Sequence, residues 1–358
     1  MTTARSILIT GGAGFIGCAL ASRLVDRGDR VVAVDVLHPQ VHTSPGRPDR
    51  LRDEVELLPV DVTSTQEWDA VLKLVRPDQI VHLAAETGTG QSLTEASRHG
   101  RVNVVGTTEM LDALTRSAWA PEHIVLSSSR AVYGEGEWQA GDGTTFYPAP
   151  RTHAALELAR WDPVGPDDSA GTALPSRADR TVPRPTSVYG ATKLAQEHVL
   201  GAWCAATGTA LSVLRFQNVY GPGQSLTNSY TGVVSFFASA ARRGETLDVY
   251  EDGRIIRDFV YIEDVVAAVL AAIGAPPEER RTLDIGSGVI TTIHDVAVTM
   301  AAMLEAPKPQ ISGRFRDGDV RAASTDIGPA GEDLGYRPVW SLQQGIEALL
   351  ASMKGERG

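Results

Sequence analysis

Gly11-Gly12-Ala13-Gly14-Phe15-Ile16-Gly17 decides how this chain folds. It follows the apolar run Ser6-Ile7-Leu8-Ile9-Thr10 and opens a helical pattern over 15–26, so a glycine-rich turn joins a buried strand to a helix. Gly11 permits the tight turn, Gly14 lets a diphosphate come against the backbone, and Gly17 lets the helix pack close to the strand. The first turn of the helix, with Phe15 and Ile16, offers unpaired N–H groups and a positive dipole to such a diphosphate. Asp35 ends Val31-Val32-Ala33-Val34. A carboxylate there accepts from the ribose hydroxyls of an adenosine and repels a 2′-phosphate, which predicts NAD rather than NADP as cofactor. An N-cap or loop role is the alternative for Asp35.

Working outward, β-branched runs recur at 6–10, 30–36, 55–62, 79–85 and 124–129, with helical patterns at 15–26, 66–75 and 102–117 between them. Near-continuous apolar strands alternating with helices predict a Rossmann-type α/β fold, a doubly wound parallel sheet covered on both faces. Ligands of such sheets bind at the carboxyl ends of the strands. Asp61-Val62 stands at one such end, placed to hold an adenine edge. Leu83-Ala84-Ala85 stands at another, where small residues let backbone lie against a cofactor. Asn103 falls early in the next helix as a further cofactor candidate, with capping as the alternative.

Composition narrows the function classes. The chain has 358 residues, enough for one large or two unequal domains, and its 42% hydrophobic and 22% charged residues suit a globular protein. The net charge is −11, without a Lys/Arg run, so nucleic acid is not an expected partner. No apolar run approaches the roughly 20 residues of a membrane span. The chain passes from Met1 almost directly into the first strand, leaving no room for a signal peptide, and a cytoplasmic location is expected. Cys18 and Cys204, the only cysteines, fall inside helical patterns and read as small buried side chains; no metal site is expected.

Residues 135–186 are rich in Gly and Pro and read as an inserted surface excursion with a short helix near 154–160. The insertion either covers the active site or is a tolerated surface addition. Beyond it the pattern loosens: a strand at 211–216, a helix at 233–243, an extended run at 257–262 leading into a helix to 273, a capping box at Thr292-Ile293-His294-Asp295 opening a helix to 304, and a last helix capped by Ser341. The expected division is a first domain over 1–215 and a smaller mixed α/β lobe over 216–358, some of whose segments return to the first domain.

The chemistry gathers at Ile124-Val125-Leu126-Ser127-Ser128-Ser129 and Tyr189-Gly190-Ala191-Thr192-Lys193. On a helix, residues four apart share a face. An ammonium near a phenol stabilises phenolate and lowers its pKa, so Tyr189 becomes a candidate general base. The Tyr-x-x-x-Lys spacing also occurs on ordinary amphipathic helices and gains force here only from the nucleotide fingerprint and the serine-rich strand end.

Taken with Asn103-Val104-Val105-Gly106-Thr107, Arg215-Phe216-Gln217-Asn218-Val219-Tyr220-Gly221-Pro222-Gly223, Arg257-Asp258-Phe259-Val260-Tyr261 and Asp317-Gly318-Asp319-Val320-Arg321, these motifs resemble, over almost the whole chain, the extended short-chain dehydrogenase/reductase family and its nucleotide-sugar epimerases and dehydratases. The resemblance implies that Ser129 hydrogen-bonds the reacting hydroxyl, that Tyr189 takes its proton, and that Lys193 holds the nicotinamide ribose and depresses the phenol pKa. Ser127 joins the cofactor wall. Arg130 and Asn218 would meet the substrate, Asn218 at its phosphates, and Arg257 and Arg321 would grip the pyrophosphate. Surface salt bridges and a turn are the alternatives for the arginines and Asn218.

Dehydratases of the family carry an Asp-Glu pair where this chain has Arg130 and Ala131. Neither can serve as the acid or base of an elimination. The expected function is therefore an NAD-dependent nucleotide-sugar 4-epimerase, oxidising C4 transiently and returning hydride to the opposite face. Ala84-Ala85-Glu86-Thr87-Gly88-Thr89-Gly90-Gln91-Ser92, with the run from Gln217 to Leu226, is similar to dTDP-L-rhamnose 4-epimerase-type proteins, implying a dTDP-6-deoxyhexose substrate such as dTDP-L-rhamnose. Glu86, Thr87 and Gln91 are candidates for sugar hydroxyls or simple loop residues. The alternatives are a 4-keto-6-deoxysugar nucleotide reductase, another epimerase or dehydratase of the family, or a silent nucleotide-sensing protein. The resemblance also implies a homodimer paired through helices at 102–117 and 191–206.

Overall fold

The computed structural model describes residues 4–42, 46–225 and 232–355; Leu226, the last residue of the stretch similar to rhamnose epimerases, lies outside them. Seven parallel strands form the central sheet: β1 (Ser6–Thr10), β2 (Arg30–Asp35), β3 (Glu56–Pro59), β4 (Gln79–His82), β5 (His123–Ser129), β6 (Ala210–Phe216) and β7 (Arg280–Ile285), in the order β3-β2-β1-β4-β5-β6-β7. The order reverses at β1, where β4 takes the other edge, and that reversal opens a crevice beyond the strand ends. β7 comes from the expected second lobe and pairs with β6 from Arg280↔Leu211 to Ile285↔Phe216.

Both sheet faces are covered, as the apolar strands require. Successive residues point to opposite faces, so Leu8 packs with Trp68 of helix α2 (Thr65–Leu74), Met110 and Leu114 of α3 (Gly106–Arg116) and Leu200 of α4 (Val188–Thr207). Ile7 and Ile9 pack with Leu20 and Leu24 of α1 (Phe15–Asp26) and with Val265 and Val269 of α5 (Ile262–Gly274). Each such buried aliphatic side chain contributes roughly 1.5–3 kcal/mol over an exposed one. The second cluster continues into the C-terminal helices, so the smaller lobe shares one core with the sheet.

Several boundaries shift for local reasons. β3 is shorter than the sequence pattern because Pro59 has no N–H to give and the strand is an edge. β4 stops at His82; Leu83–Ala85 runs past the end of β1, with Leu83 N still donating to Thr10 O at 3.1 Å. The helix expected over 102–117 is a continuous stretch from Ala96 to Arg116 with a π-turn at Gly100–Val105. The capping box at Thr292 and Asp295 forms, and Ser341 Oγ accepts from Gln344 N at 3.2 Å.

The insertion builds a three-stranded antiparallel sheet (Trp138–Gln139 between Thr145–Phe146 and Thr172–Ala173) and the helix His153–Glu157, slightly ahead of its expected place. It lies against the second lobe: Ser176 N donates to Ser324 O at 2.9 Å, and Thr325 Oγ1 donates to Ser176 O at 2.9 Å.

Candidate active site

A cleft of about 460 Å³ runs along the carboxyl ends of the strands. Its wall begins at the glycine turn. Gly11 has a φ of +66°, where a side chain is strained, and a Cβ there would lie 2.9 Å from Ala84 N. A Cβ on Gly17 would lie 2.5 Å from Gly11 O. The turn is thus a backbone cradle that side chains would fill, and it fits a dinucleotide diphosphate. Asp35 lines the same wall; its carboxylate accepts from Ala13 N at 3.1 Å and from Leu37 N at 2.9 Å. Gly14, Phe15, Ile16, Val62, Leu83, Ala84, Ala85 and Ser127 also line the cleft. Asp61 reaches it too, although its carboxylate accepts from Thr63 N and Thr63 Oγ1, both at 2.8 Å, as α2 begins.

Ser129, Tyr189 and Lys193 meet at the far end of the cleft. Ser187 caps α4, accepting from Gly190 N at 3.1 Å, so Tyr189 stands in the first turn and Lys193 one turn on. Gly190 must lack a side chain: a Cβ would come 2.4 Å from Ala131 O. That contact joins α4 to the 3₁₀ turn Arg130–Tyr133 directly after Ser129. Ser129 Oγ accepts from Ala131 N at 3.2 Å. Lys193 Nζ donates to Ser127 O at 2.8 Å.

The electrostatics correct one expectation. Burial pushes the Tyr189 phenol above its ordinary pKa, and the groups pulling it back are Ser129, by hydrogen bond, and Arg130, by charge, rather than Lys193. Burial pushes Lys193 itself down to about 7, against the pull of Glu197. Burial, then the charge of Arg257, lowers Arg130 to about 10.

Buried polar groups fix these side chains. Asn103, expected on the cofactor wall, does not line the cleft. It is fully buried, accepts from Glu86 N at 2.7 Å, and donates to Glu86 O at 3.0 Å and Thr192 Oγ1 at 2.9 Å. It staples the loop after β4 to the helix of Tyr189, and the π-turn carries it there. Thr107 Oγ1 is 2.9 Å from His82 Nε2, while His82 Nδ1 is 2.7 Å from Thr10 Oγ1; burial drives this imidazole down to about 3, so it stays neutral. Beneath Lys193, Glu197 accepts from Ser128 Oγ at 2.5 Å and from Arg215 Nη2 at 2.6 Å; Arg215 Nη1 donates to Tyr133 Oη, which donates to Asp284 at 2.8 Å.

The substrate candidates divide. Glu86 and Thr87 line the cleft, with Glu86 paired to Arg98 at 2.8 Å. Gln91 does not; it is buried against Gln40 and Glu95. Arg130 lies in a small side cavity, where its Nε donates to Asn218 Oδ1 at 3.0 Å. Asn218 itself lies outside the cleft wall. Arg257 donates to Asp319 Oδ1 at 2.6 Å and also stands off the cleft. Arg321 is corrected outright. Its guanidinium is 3% exposed and donates to Asp162 of the insertion (2.7 Å), Glu251 (2.9 Å) and Asp252 (2.7 and 2.8 Å). Four of its five N–H donors go to three carboxylates, which neutralise the group and hold it inside the protein rather than toward a pyrophosphate.

Cleft residues that sequence reasoning missed include His38, His42, Arg98, Gln217 and Gln224. Gln217 and Gln224 fall inside a motif already singled out; His38 and His42 sit in the loop after β2, and Arg98 lies on the short helical turn Ala96–His99, none of them with a periodic signal. Among the described residues no helix is long and apolar enough to cross a membrane.

The model of the NAD dependent epimerase/dehydratase family matches residues 7–155 and 165–286. Among curated proteins, the chain is 57% identical over 345 residues to a dTDP-L-rhamnose 4-epimerase of Burkholderia thailandensis, covering 96% of this chain and 94% of the relative. It is 30% identical over 344 residues to a UDP-glucose 4-epimerase of Mycolicibacterium smegmatis, covering 95% of each. Among solved structures, a UDP-glucose 4-epimerase of Thermotoga maritima with UDP-glucose superposes with a TM-score of 0.78 at 27% identity, over 98% of this chain and 99% of the other. A Thermus thermophilus UDP-glucose 4-epimerase complexed with NAD gives 0.77 at 25% identity, over 98% and 99%.

Proposed function

The chain belongs to the NAD-dependent epimerase/dehydratase family, and from that premise we propose that it is a nucleotide-sugar 4-epimerase acting on dTDP-L-rhamnose, with NAD as its cofactor. The observation that carries this reading is the near-full-length similarity to a dTDP-L-rhamnose 4-epimerase. Arg130 and Ala131 support it, because neither supplies the acid or base of a dehydration.

Bound NAD supplies the acceptor, and afterwards the donor, of the C4 hydride. The glycine turn, Asp35 and the Leu83–Ala85 backbone would hold it. The chain's own groups handle the proton. Tyr189 takes it from the C4 hydroxyl and later returns it to the C4 oxygen. Ser129 hydrogen-bonds that oxygen and the phenol together. Ser129 by hydrogen bond and then Arg130 by charge favour the phenolate, partly offsetting the burial that disfavours it. Lys193, held at Ser127 O at 2.8 Å, would hold the ribose of the nicotinamide half of the cofactor.

The protein is further read as a cytoplasmic homodimer paired through α4 and the helix before and including α3. Sedimentation of the purified chain checks the dimer. The function itself is tested by incubating purified protein with dTDP-L-rhamnose and no added cofactor, and following products by NMR. The reading requires the C4 epimer to accumulate to an equilibrium; no conversion of dTDP-L-rhamnose, with stoichiometric consumption of NAD(P)H when the 4-keto-6-deoxy sugar nucleotide is supplied instead, would replace it with a reductase.

A further inference from the structure

Among the described residues, Gln217 is the only side chain of the cleft wall that is buried with unpartnered polar atoms, and both its Nε2 and its Oε1 lack a hydrogen-bond partner. The residue is 5% exposed. Such a group is costly to bury and is seldom left unsatisfied without a reason.

Its place in the fold supplies one. Ser129 of β5 pairs in register with Phe216, the last residue of β6. Gln217 is the next residue, so it stands at the strand end beside Arg130, which follows Ser129. Its backbone is fixed, with Gln217 N donating to Ile285 O at 2.9 Å. Its stem is fixed too: a Cβ on Gly286 would lie 2.8 Å from Gln217 Cγ, so only a glycine there admits the side chain. The residue lines both the main cleft, with Ser129 and Tyr189, and the small side cavity with Arg130.

We propose that Gln217 is a specificity-determining residue, whose amide receives the neighbouring 2- and 3-hydroxyls of the sugar, the latter on the carbon next to the C4 handled by Tyr189 and Ser129. A carboxamide presents a donor and an acceptor side by side. That pair matches two neighbouring neutral hydroxyls, each of which both donates and accepts. It does not match a carboxylate or an ammonium on the sugar. The inference rests on the nucleotide-sugar reading above and names the part of the substrate this group senses. A site built to hydrogen-bond a hydroxyl strongly rejects the analogue lacking it, because its own polar atoms are then left bare.

The test uses Gln217→Met, close in volume but without the polar pair, in a Tyr189→Phe background where binding is measured without turnover. Calorimetry compares dTDP, dTDP-L-rhamnose and the analogues of dTDP-L-rhamnose lacking the 2- or the 3-hydroxyl. The expected result is that dTDP binds both proteins alike, within about twofold. dTDP-L-rhamnose should bind the Met variant about 10–100-fold more weakly, as the loss of one or two hydrogen bonds implies. At least one deoxy analogue should no longer distinguish the two proteins. The melting temperature should be unchanged or higher, since an unsatisfied amide has been removed. Equal weakening for all four ligands, no weakening for dTDP-L-rhamnose, or a lowered melting temperature with intact hydroxyl discrimination would each overturn the proposal. If the unmutated chain neither binds nor converts dTDP-L-rhamnose, the substrate reading fails; if it does both and Gln217→Met leaves hydroxyl discrimination intact, only this inference fails.

Discussion

The two halves of the active-site region are built by different rules. At the amino-terminal half, a residue's role follows from its place on the sheet. Gly11 turns the chain at the end of β1, Asp35 ends β2, Ser129 ends β5, and Tyr189 and Lys193 share one face of α4. At the insertion and carboxyl-terminal half, a residue's role follows from partners far away in sequence. Arg321 meets Asp162, 159 positions earlier, and Glu251, 70 positions earlier; Arg151 meets Glu251, 100 positions later. The candidate catalytic side chains sit where sheet topology sets their places and buried polar contacts lock them, whereas the distant charges join the carboxyl-terminal segments to the insertion.

The sharpest break in that comparison comes from the first half. Tyr189→Phe removes the proposed proton carrier and leaves the cleft shape, so kcat should fall about 10²–10⁴-fold with little change in melting temperature. Steady-state rates by NMR or a coupled assay check this. If Tyr189→Phe epimerises at near the native rate, the proton is carried elsewhere.

Arg321→Met tests the second half. Removing the guanidinium leaves Glu251 buried beside fewer cations, and breaking a buried pair costs about 3–5 kcal/mol. Denaturant unfolding should show that loss, while KM for dTDP-L-rhamnose on the folded protein stays within about twofold. The opposite pattern, a large rise in KM at unchanged stability, would return Arg321 to the pyrophosphate and erase the distinction between the halves.

Gly190→Ala probes the join between strand-end serine and helix. The added methyl must push Ala131 away, at a cost of roughly 1–3 kcal/mol for an overpacked site. Both melting temperature and kcat should drop, because the same contact sets the Ser129–Tyr189 geometry. A stable variant with native kcat would show that the contact is slack.

The smallest effect concerns His82, fully buried and neutral, with its pKa driven down to about 3 from the ordinary 6.5. A depressed folded pKa means the unfolded chain binds the proton first, so this group's stabilisation is present above pH 6.5 and is lost as pH falls toward 3. His82→Gln should flatten the slope of stability against pH by about one proton between pH 6.5 and 4. An unaltered slope would mean that other groups, such as His123, carry the acid sensitivity.

What the sequence made legible follows the same division. The doubly wound sheet and the glycine turn rest on periodicity and fixed offsets, which short stretches express completely, whereas the Ser129–Tyr189–Lys193 grouping rests on one helical spacing and on the family resemblance. Asn103 was placed on the correct helix but in the wrong role, because a π-turn re-aims its side chain and no residue pattern announces that turn. Arg321 was misplaced because a guanidinium suits a pyrophosphate and a carboxylate equally well, and only the fold brings Asp162 against it. Gln217 sat within a quoted motif without being singled out. Its significance lies in the partners it lacks, which a sequence does not record.

The central claim is that one cleft removes and restores the same C4 hydrogen with the protein's own retained NAD. dTDP-L-rhamnose deuterated at C4 tests it most directly, incubated in ordinary water without added cofactor and read by NMR and mass spectrometry. The account predicts that deuterium stays at C4 in both epimers at equilibrium. Washout of deuterium into solvent, or epimerisation that leaves C4 untouched, would contradict it.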